Sequence, residues 1–267
     1  MKNGISLVLL SYGEEENLRL LLPEIKKRLE ECGEKYEVLV VDAREEIDNS
    51  RQVCAENEVR YVNQAGNGFA DAFKTGIRHV EYNKFFIMDS DGSHKPDYIP
   101  DIYRLFMSEK CDVAIGSRYT RGGKNNDSLI SQLMSHTLNF VYGIVTGIKA
   151  KDMSTDFRMY RTRRLKEVEP ELICRNYDVL QEVLLKLKIR KHREGKRFTV
   201  RETPITFEKR LFGNSKRQLV KFIISYMKSV FYLAYVRFKG HDRWQRSIYD
   251  SKSLERHFCK KGKNKTI

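Results

Sequence analysis

Short apolar runs alternate with helical-period stripes through the first half of the chain. "ISLVLLS" (5–11), "YEVLVVD" (36–42), "VRYVN" (59–63), "KFFIMD" (84–89) and "CDVAIGS" (111–117) have strand length. Near-continuous apolar character is the mark of strands buried on both faces of a parallel sheet. Between them, Leu18, Leu21, Leu22, Ile25 and Leu29 recur at helical spacing, as do Phe69, Phe73, Ile77 and Val80, and then Ile99, Ile102, Tyr103 and Phe106. Pro23 falls inside the first stripe and predicts a kink or a late helix start. Strand-helix alternation at this spacing predicts an α/β fold with a mainly parallel central sheet and helices on both faces.

After Ser117 the alternation loosens. Ile130, Leu133, Met134, Thr137, Leu138, Val141, Ile144 and Val145 predict a long amphipathic helix. "STDFRMYR" (154–161) predicts an edge strand. Val179, Leu180, Val183, Leu184 and Leu187 predict another helix. "RFTVRETPITF" (197–207) reads as a strand, and Pro204 puts it at an edge. A last helix is predicted over 219–238. Arg217, Lys221, Ser225, Lys228 and Tyr232 lie on one face; Phe222, Ile223, Tyr226, Met227, Val230, Leu233 and Ala234 spread over the other. A wide apolar arc beside a basic face suits a helix lying in a membrane interface, or one packed on the domain or a partner subunit. The expected division is a domain over 1–216, the amphipathic helix over 217–238 and a basic, loosely ordered tail over 239–267.

Composition narrows the partners. The 267 residues carry a formal net charge of +14, which favours anionic partners. Five scattered cysteines without a CxxC pair argue against a disulfide framework or a structural zinc site, and fit a reducing cytoplasm. The first apolar run is too short for a signal peptide. No stretch reaches the roughly 18 apolar residues of a membrane span. A nucleic-acid protein would need a basic face with exposed aromatics, whereas the basic residues here are dispersed or in the tail.

The chemistry gathers where strands end. Ligands of open parallel sheets bind at the carboxyl ends of the strands. Three predicted strands end there in Ser11-Tyr12-Gly13-Glu14, in Asp42 and in Asp89-Ser90-Asp91. Carboxylates in such a place suit Mg²⁺ or Mn²⁺ with a diphosphate, although Asp91 or Ser93 could simply cap the next helix. "GNGFADAFKTG" (66–76) is a small-residue turn entering a helix; it lacks both the dinucleotide fingerprint and the P-loop pattern. Arg118 and Arg121 in "GSRYTRGG" (116–123), and Lys209, Arg210 and Lys216 in "FEKRLFGNSK" (207–216), are candidate phosphate binders. The six histidines show no ligand spacing and are assigned no chemistry.

In this order, "SYGEEENL", "VLVVDA", "IMDSDGSHKPDYIP", "IGSRYTRGG", "STDFRMYR" and "ETPITFEKRLFGNSK" resemble family 2 inverting glycosyltransferases of the GT-A fold, most closely the polyprenol-phosphate sugar synthases. The resemblance spans about residues 5–216. It implies a metal-binding D-x-D at Asp89 and Asp91, with Ser93 as a further polar contact. Ser11, Tyr12, Glu14 and Asp42 fall where the family holds the base and ribose. Gly68 falls in its glycine turn, and Ser90 sits within the donor-binding stretch. Arg118, Ser135, Arg210 and Lys216 fall where that branch handles donor or acceptor phosphate, so Asp91 and Arg118 are the expected catalytic residues. Glu182 stands where the family carries a helical glutamate. The chain departs from the pattern at Gly13, at Ala43-Arg44-Glu45, at the missing lysine of the glycine turn and at Ser131. The implied activity is metal-dependent sugar transfer from a nucleotide-diphospho-sugar to a polyprenol phosphate, at the cytoplasmic face of a membrane or beside a membrane-integral subunit. A saccharide hydroxyl acceptor and a non-catalytic sugar-nucleotide binder are the alternatives.

Overall fold

Strands and helices alternate from the first residues of the computed structural model, which describes residues 1–211 and 219–239. The strands are β1 (Lys2–Leu10), β2 (Tyr36–Asp42), β3 (Arg60–Asn63), β4 (Tyr82–Asp89), β5 (Val113–Ser117), β6 (Lys124–Asn125), β7 (Arg158–Arg161), β8 (Val200–Pro204) and β9 (Thr206–Phe207). The helices are α1 (Glu15–Glu30), α2 (Ser50–Glu56), α3 (Phe69–His79), α4 (Ile99–Ser108), α5 (Leu129–Thr146), α6 (Thr162–Val168), α7 (Val179–Arg193) and α8 (Leu219–Lys239). Seven strands form one sheet in the order β3-β2-β1-β4-β7-β5-β8, and β6 pairs with β9 beside it. Every pairing in the large sheet is parallel except those of β7, which runs antiparallel to both β4 and β5.

Side-chain alternation along the strands divides the core in two. Val8, Leu39, Val41, Phe85 and Ile87 meet α3, α6, α7 and α8 through Phe73, Leu165, Val183 and Leu233. Their neighbours Leu7, Leu9, Val40, Phe86 and Met88 meet α1 and α4 through Leu18, Leu22, Ile25 and Ile102. Both faces of the central strands are therefore covered, as the continuous apolar runs require.

Four expectations change. The first concerns β7, which lies inside the sheet and not at its edge. Its Arg158 is fully buried because the guanidinium donates to Tyr160 Oη (3.2 Å), Leu180 O (3.1 Å) and Met153 O (2.6 Å). Helix α1 begins before Pro23 and carries it internally, so the proline does not delay the start; lacking an N–H, it leaves the Arg19 carbonyl without its usual helical donor.

Helix α5 is turned inside out. Ser135, Asn139, Tyr142 and Thr146 are its buried residues, while Leu129, Ile130, Leu133, Phe140 and Ile144 are exposed. Hydrogen bonds hold this polar seam: Ser135 Oγ accepts from Arg118, Asn139 Oδ1 accepts from Met153 N (2.9 Å), and Tyr142 Oη meets Ser229 Oγ of α8 (2.6 Å). Helix α8 packs on the domain through Tyr226, Ser229, Tyr232, Leu233 and Val236. Tyr232 thus leaves the predicted polar face and donates to Glu182 Oε1 (3.0 Å), and Met227, Phe231 and Phe238 face outward. Val200–Pro204 is an edge strand as Pro204 predicts. The domain boundary predicted at 216, the side chains of 217–225 and the tail beyond 239 lie outside what is described.

Candidate active site

Strand β4 ends in Asp89, and the chain then turns sharply. Ser90 Oγ donates to Leu10 O (2.8 Å), tying the turn to the end of β1. Asp91 Oδ1 accepts from Ser93 N (3.0 Å) and Ser93 Oγ (2.5 Å). Gly92 has φ +80°, and a Cβ there would lie 2.5 Å from Leu211 Cγ. Neither Asp91 nor Ser93 caps a helix; the following 3₁₀ turn (Pro96–Tyr98) starts after Lys95 with no side-chain cap. Residues 207–211 run along this turn, through Glu208 N to Ser93 O and Leu211 N to Asp91 O, both 3.0 Å. That register brings Arg210 Nη2 to 2.9 Å from Asp91 Oδ2.

A cavity of about 830 Å³ opens over the turn. Asp89, Asp91, Ser93, Arg118, Ser135 and Arg210 all line it. The other predicted binding residues lie beside it, on the β1–β2 side. Ser11 Oγ, at the end of β1, is buried without a hydrogen-bond partner. Tyr12 is exposed, and Glu14 accepts from Asn17 Nδ2 (2.5 Å). Asp42 is buried and already engaged by Ala43 N (2.8 Å) and Tyr61 Oη (3.0 Å). Gly68, at φ +90°, begins α3. Gln64 was not singled out in the sequence; its N–H donates to Asp42 O, and its buried Oε1 is unpartnered. Lys216 lies outside the described residues. Glu182 is away from the cavity lining. It is fully buried and accepts from Ile173 N, Cys174 N and Tyr232 Oη, which makes it an anchor of α7 and α8.

Arg118 does not present a bare charge. Asp152, fully buried, receives its Nε (2.8 Å), Nη2 (2.8 Å) and backbone N (3.0 Å), and Nη2 also reaches Ser135 Oγ (3.1 Å) and Ser154 Oγ (2.5 Å). Burial opposes both charges, and the pairing outweighs it. The Arg118 pKa therefore lies above its ordinary value and that of Asp152 below.

Three further residues were given no role from the sequence, although His94 and Asp156 lie in stretches that carry the resemblance. Asp152 and Asp156 precede β7, and their placement depends on its register. His94, assigned no chemistry from its spacing, joins Asp89 and Asp156 in a cluster whose donor atoms lie within 4.8 Å of one another. Its Nδ1 accepts from Asp89 N (3.2 Å), which leaves the proton on Nε2, 3.2 Å from Thr155 Oγ1. Burial lowers its pKa. It stacks on Phe157 with centroids 4.8 Å apart. Burial, and then the facing Asp89 charge, push the Asp156 carboxyl well above its usual range.

These groups fit a hard divalent cation. Three carboxylates, Asp89, Asp91 and Asp156, line the cavity on this side, and one of their oxygens, Asp156 Oδ2, is buried without a hydrogen-bond partner.

The chain is 29% identical over 235 residues to a dolichol-phosphate mannosyltransferase of Pyrococcus furiosus, covering 86% of this chain and 63% of that one. It therefore spans less than two thirds of that relative's length. It is 29% identical over 217 residues to an undecaprenyl-phosphate mannosyltransferase of Micrococcus luteus, covering 77% of this chain and 84% of that one. In fold it resembles glucosyl-3-phosphoglycerate synthase of Mycobacterium tuberculosis. The structure of that protein with Mn²⁺, UDP and glucosyl-3-phosphoglycerate has a TM-score of 0.61 and 14% identity, over 88% of this chain and 80% of that one. Its structure with Mg²⁺ and UDP has a TM-score of 0.63 and 14% identity, over 88% and 79%. This likeness bears out the GT-A fold expected from the motifs. The model of glycosyl transferase family 2 matches residues 6–169, more than half of the chain, and the protein belongs to that family.

Proposed function

We propose that the protein transfers a sugar from a nucleotide-diphospho-sugar to a polyprenol phosphate at a membrane surface. One observation carries this reading. A single cavity has a carboxylate rim (Asp89, Asp91, Asp156), a basic wall (Arg118, Lys209, Arg210) and a border on α5, whose outer face is apolar. The rim suits a cation-bound diphosphate, the wall suits a second phosphate, and the border suits the hydrocarbon attached to it. The polyprenol-phosphate relatives support the acceptor, and the Mn²⁺, Mg²⁺ and UDP complexes of the structural neighbour support the donor and the ion.

Asp89 and Asp91 would hold the divalent cation, which when bound supplies Lewis-acid stabilisation to the departing diphosphate. The sugar lies between rim and wall. An oxygen of the acceptor phosphate forms the new bond to the anomeric carbon, and the bond from that carbon to the diphosphate breaks on the opposite face, inverting configuration. The acceptor is already an anion near neutral pH and requires no general base. Arg118, neutralised and held by Asp152, acts as a fixed hydrogen-bond donor, while Lys209 and Arg210 provide the positive charge that draws the phosphate in. On the β1–β2 side, the buried and unpartnered Ser11 Oγ and Gln64 Oε1 are available to the nucleoside.

The test supplies radiolabelled UDP- and GDP-sugars with membranes and Mn²⁺ or Mg²⁺. Label is expected in organic solvent, and Asp91→Ala is expected to lower transfer about 10²–10³-fold with an unchanged melting temperature. Label confined to water-soluble product would exclude the lipid acceptor. Full transfer by Asp91→Ala would exclude the role given to that carboxylate.

A further inference from the structure

The register of β4 and β7 has a chemical outcome at its far end. The two strands pair antiparallel, with Lys84 opposite Arg161, Phe85 opposite Tyr160, Phe86 opposite Met159 and Ile87 opposite Arg158. Two residues further on, the same register sets Asp89 opposite Asp156. The ladder ends at Ile87–Arg158, two residues short of this pair. Like charges directly across a ladder destabilise it, and a buried carboxylate needs a partner.

None of the nearby arginines donates a hydrogen bond to Asp156. Arg118 is held by Asp152, Arg158 donates to Tyr160 Oη, Leu180 O and Met153 O, and Arg210 pairs with Asp91. His94 Nδ1 stands 3.6 Å from Asp156 Oδ1, but that nitrogen already accepts the Asp89 N–H. The Asp156 side chain is only 5% exposed, lines the cavity, and leaves Oδ2 without a hydrogen-bond partner.

We infer that Asp156 is a third carboxylate of the cation site, binding the ion from the segment that leads into β7 while Asp89 and Asp91 bind it from the end of β4 and the turn after it. This rests on the reading of Asp89 and Asp91 as cation ligands and adds a residue outside the D-x-D. The position relieves the Asp89–Asp156 repulsion with the ion's own charge, and it gives the unpartnered oxygen a cation to bind. It also ties the sheet's antiparallel strand to the donor site. His94 remains a spacer between the two carboxylates, its Nδ1 3.8 Å from Asp89 Oδ2 and 3.6 Å from Asp156 Oδ1.

The experiment measures Mn²⁺ binding to the purified full chain by calorimetry and electron paramagnetic resonance, with no sugar donor present. The proteins are wild type, Asp156→Asn, Asp156→Glu and Asp91→Ala. Loss of an outer partner of a metal ligand already weakens affinity tenfold or more, so loss of a direct oxygen is expected to weaken Mn²⁺ binding at least about tenfold in Asp156→Asn. Asp156→Glu keeps the charge and is expected to retain binding with a changed resonance spectrum. The rise in melting temperature on adding Mn²⁺ is expected to shrink in Asp156→Asn. Equal Mn²⁺ affinity in wild type and in a folded Asp156→Asn, with loss in Asp91→Ala, overturns the inference alone. Absence of Mn²⁺ binding by wild type overturns the cation site and this inference with it. Should Asp156→Asn fail to fold, an unchanged spectrum in Asp156→Glu overturns the inference by itself.

Discussion

Arg118 has engaged most of its donors within the protein. Its fork is matched to Asp152, and both partners are nearly or fully withdrawn from water. Breaking such a pair leaves a buried charge, at a cost of about 3 kcal/mol or more. Arg118→Lys is therefore expected to destabilise the fold by roughly that amount in urea titrations, since an ammonium cannot reproduce a two-pronged contact. Transfer is expected to fall further than the folded fraction does; a variant with normal stability and rate would remove Arg118 from both roles. At this scale, what could be read from the sequence was whatever stood alone. Asp89 and Asp91 were legible because two carboxylates ending an apolar run have few structural uses. Asp152 and Asp156 were not, because their significance depends on which strand lies across from them. His94 was missed for a related reason, being defined by the backbone amide it accepts rather than by spacing to other ligands.

Helices show the limits of periodicity more sharply than strands do. The run 36–42 became β2 with the same bounds, because a strand buried on both faces needs nothing but apolar residues. The stripe on α5 was seen, but its direction was not, since a period locates a face and says nothing about which side is wet. Ser135, Asn139 and Tyr142 turned inward because each had a specific partner there. Helix α7 carries a testable stress of its own. Asp178, which opens it, has its pKa pushed up to about 6, chiefly by burial. A carboxyl raised on folding stabilises fully only below its unfolded pKa, and that contribution is lost as pH rises through the folded value. Asp178→Asn cannot ionise. Well above pH 6 it is expected to be more stable than wild type by about 3 kcal/mol, with the gain fading to nothing near pH 4. Urea midpoints at pH 7.5, 5 and 4 check this, and a gain that grew towards acid would contradict it.

At the level of the whole molecule, the apolar outer faces of α5 and α8 combine with a net charge of +14. None of the helices described is long and apolar enough to cross a membrane. Binding to anionic vesicles is expected to fall as salt rises, because screening shortens the reach of surface charge. Leu133→Glu with Phe140→Glu is expected to weaken it roughly tenfold or more, from about 1 kcal/mol of apolar burial lost at each position. Both residues are 70% exposed, so the melting temperature is expected to hold. Vesicle binding unaffected by the double change would assign the outer face of α5 to something other than lipid. The α/β alternation made the layered architecture legible, but the place of β7 was hidden, because its neighbours are set by pairing between distant segments.

The place of β7 also sets an order of assembly. As the chain leaves the ribosome, β1 to β4 find one another at once, since their mutual neighbours have all been made. Strand β5 does not, because both of its neighbours, β7 and β8, are still to come. From residue 118 to 161 the nascent chain therefore carries an unpaired apolar strand and then a helix with its greasy side outward. That interval, closed by a strand of four residues, is where a chaperone is expected to have most to shield and where mutations in β7 are expected to favour aggregation over an inactive enzyme.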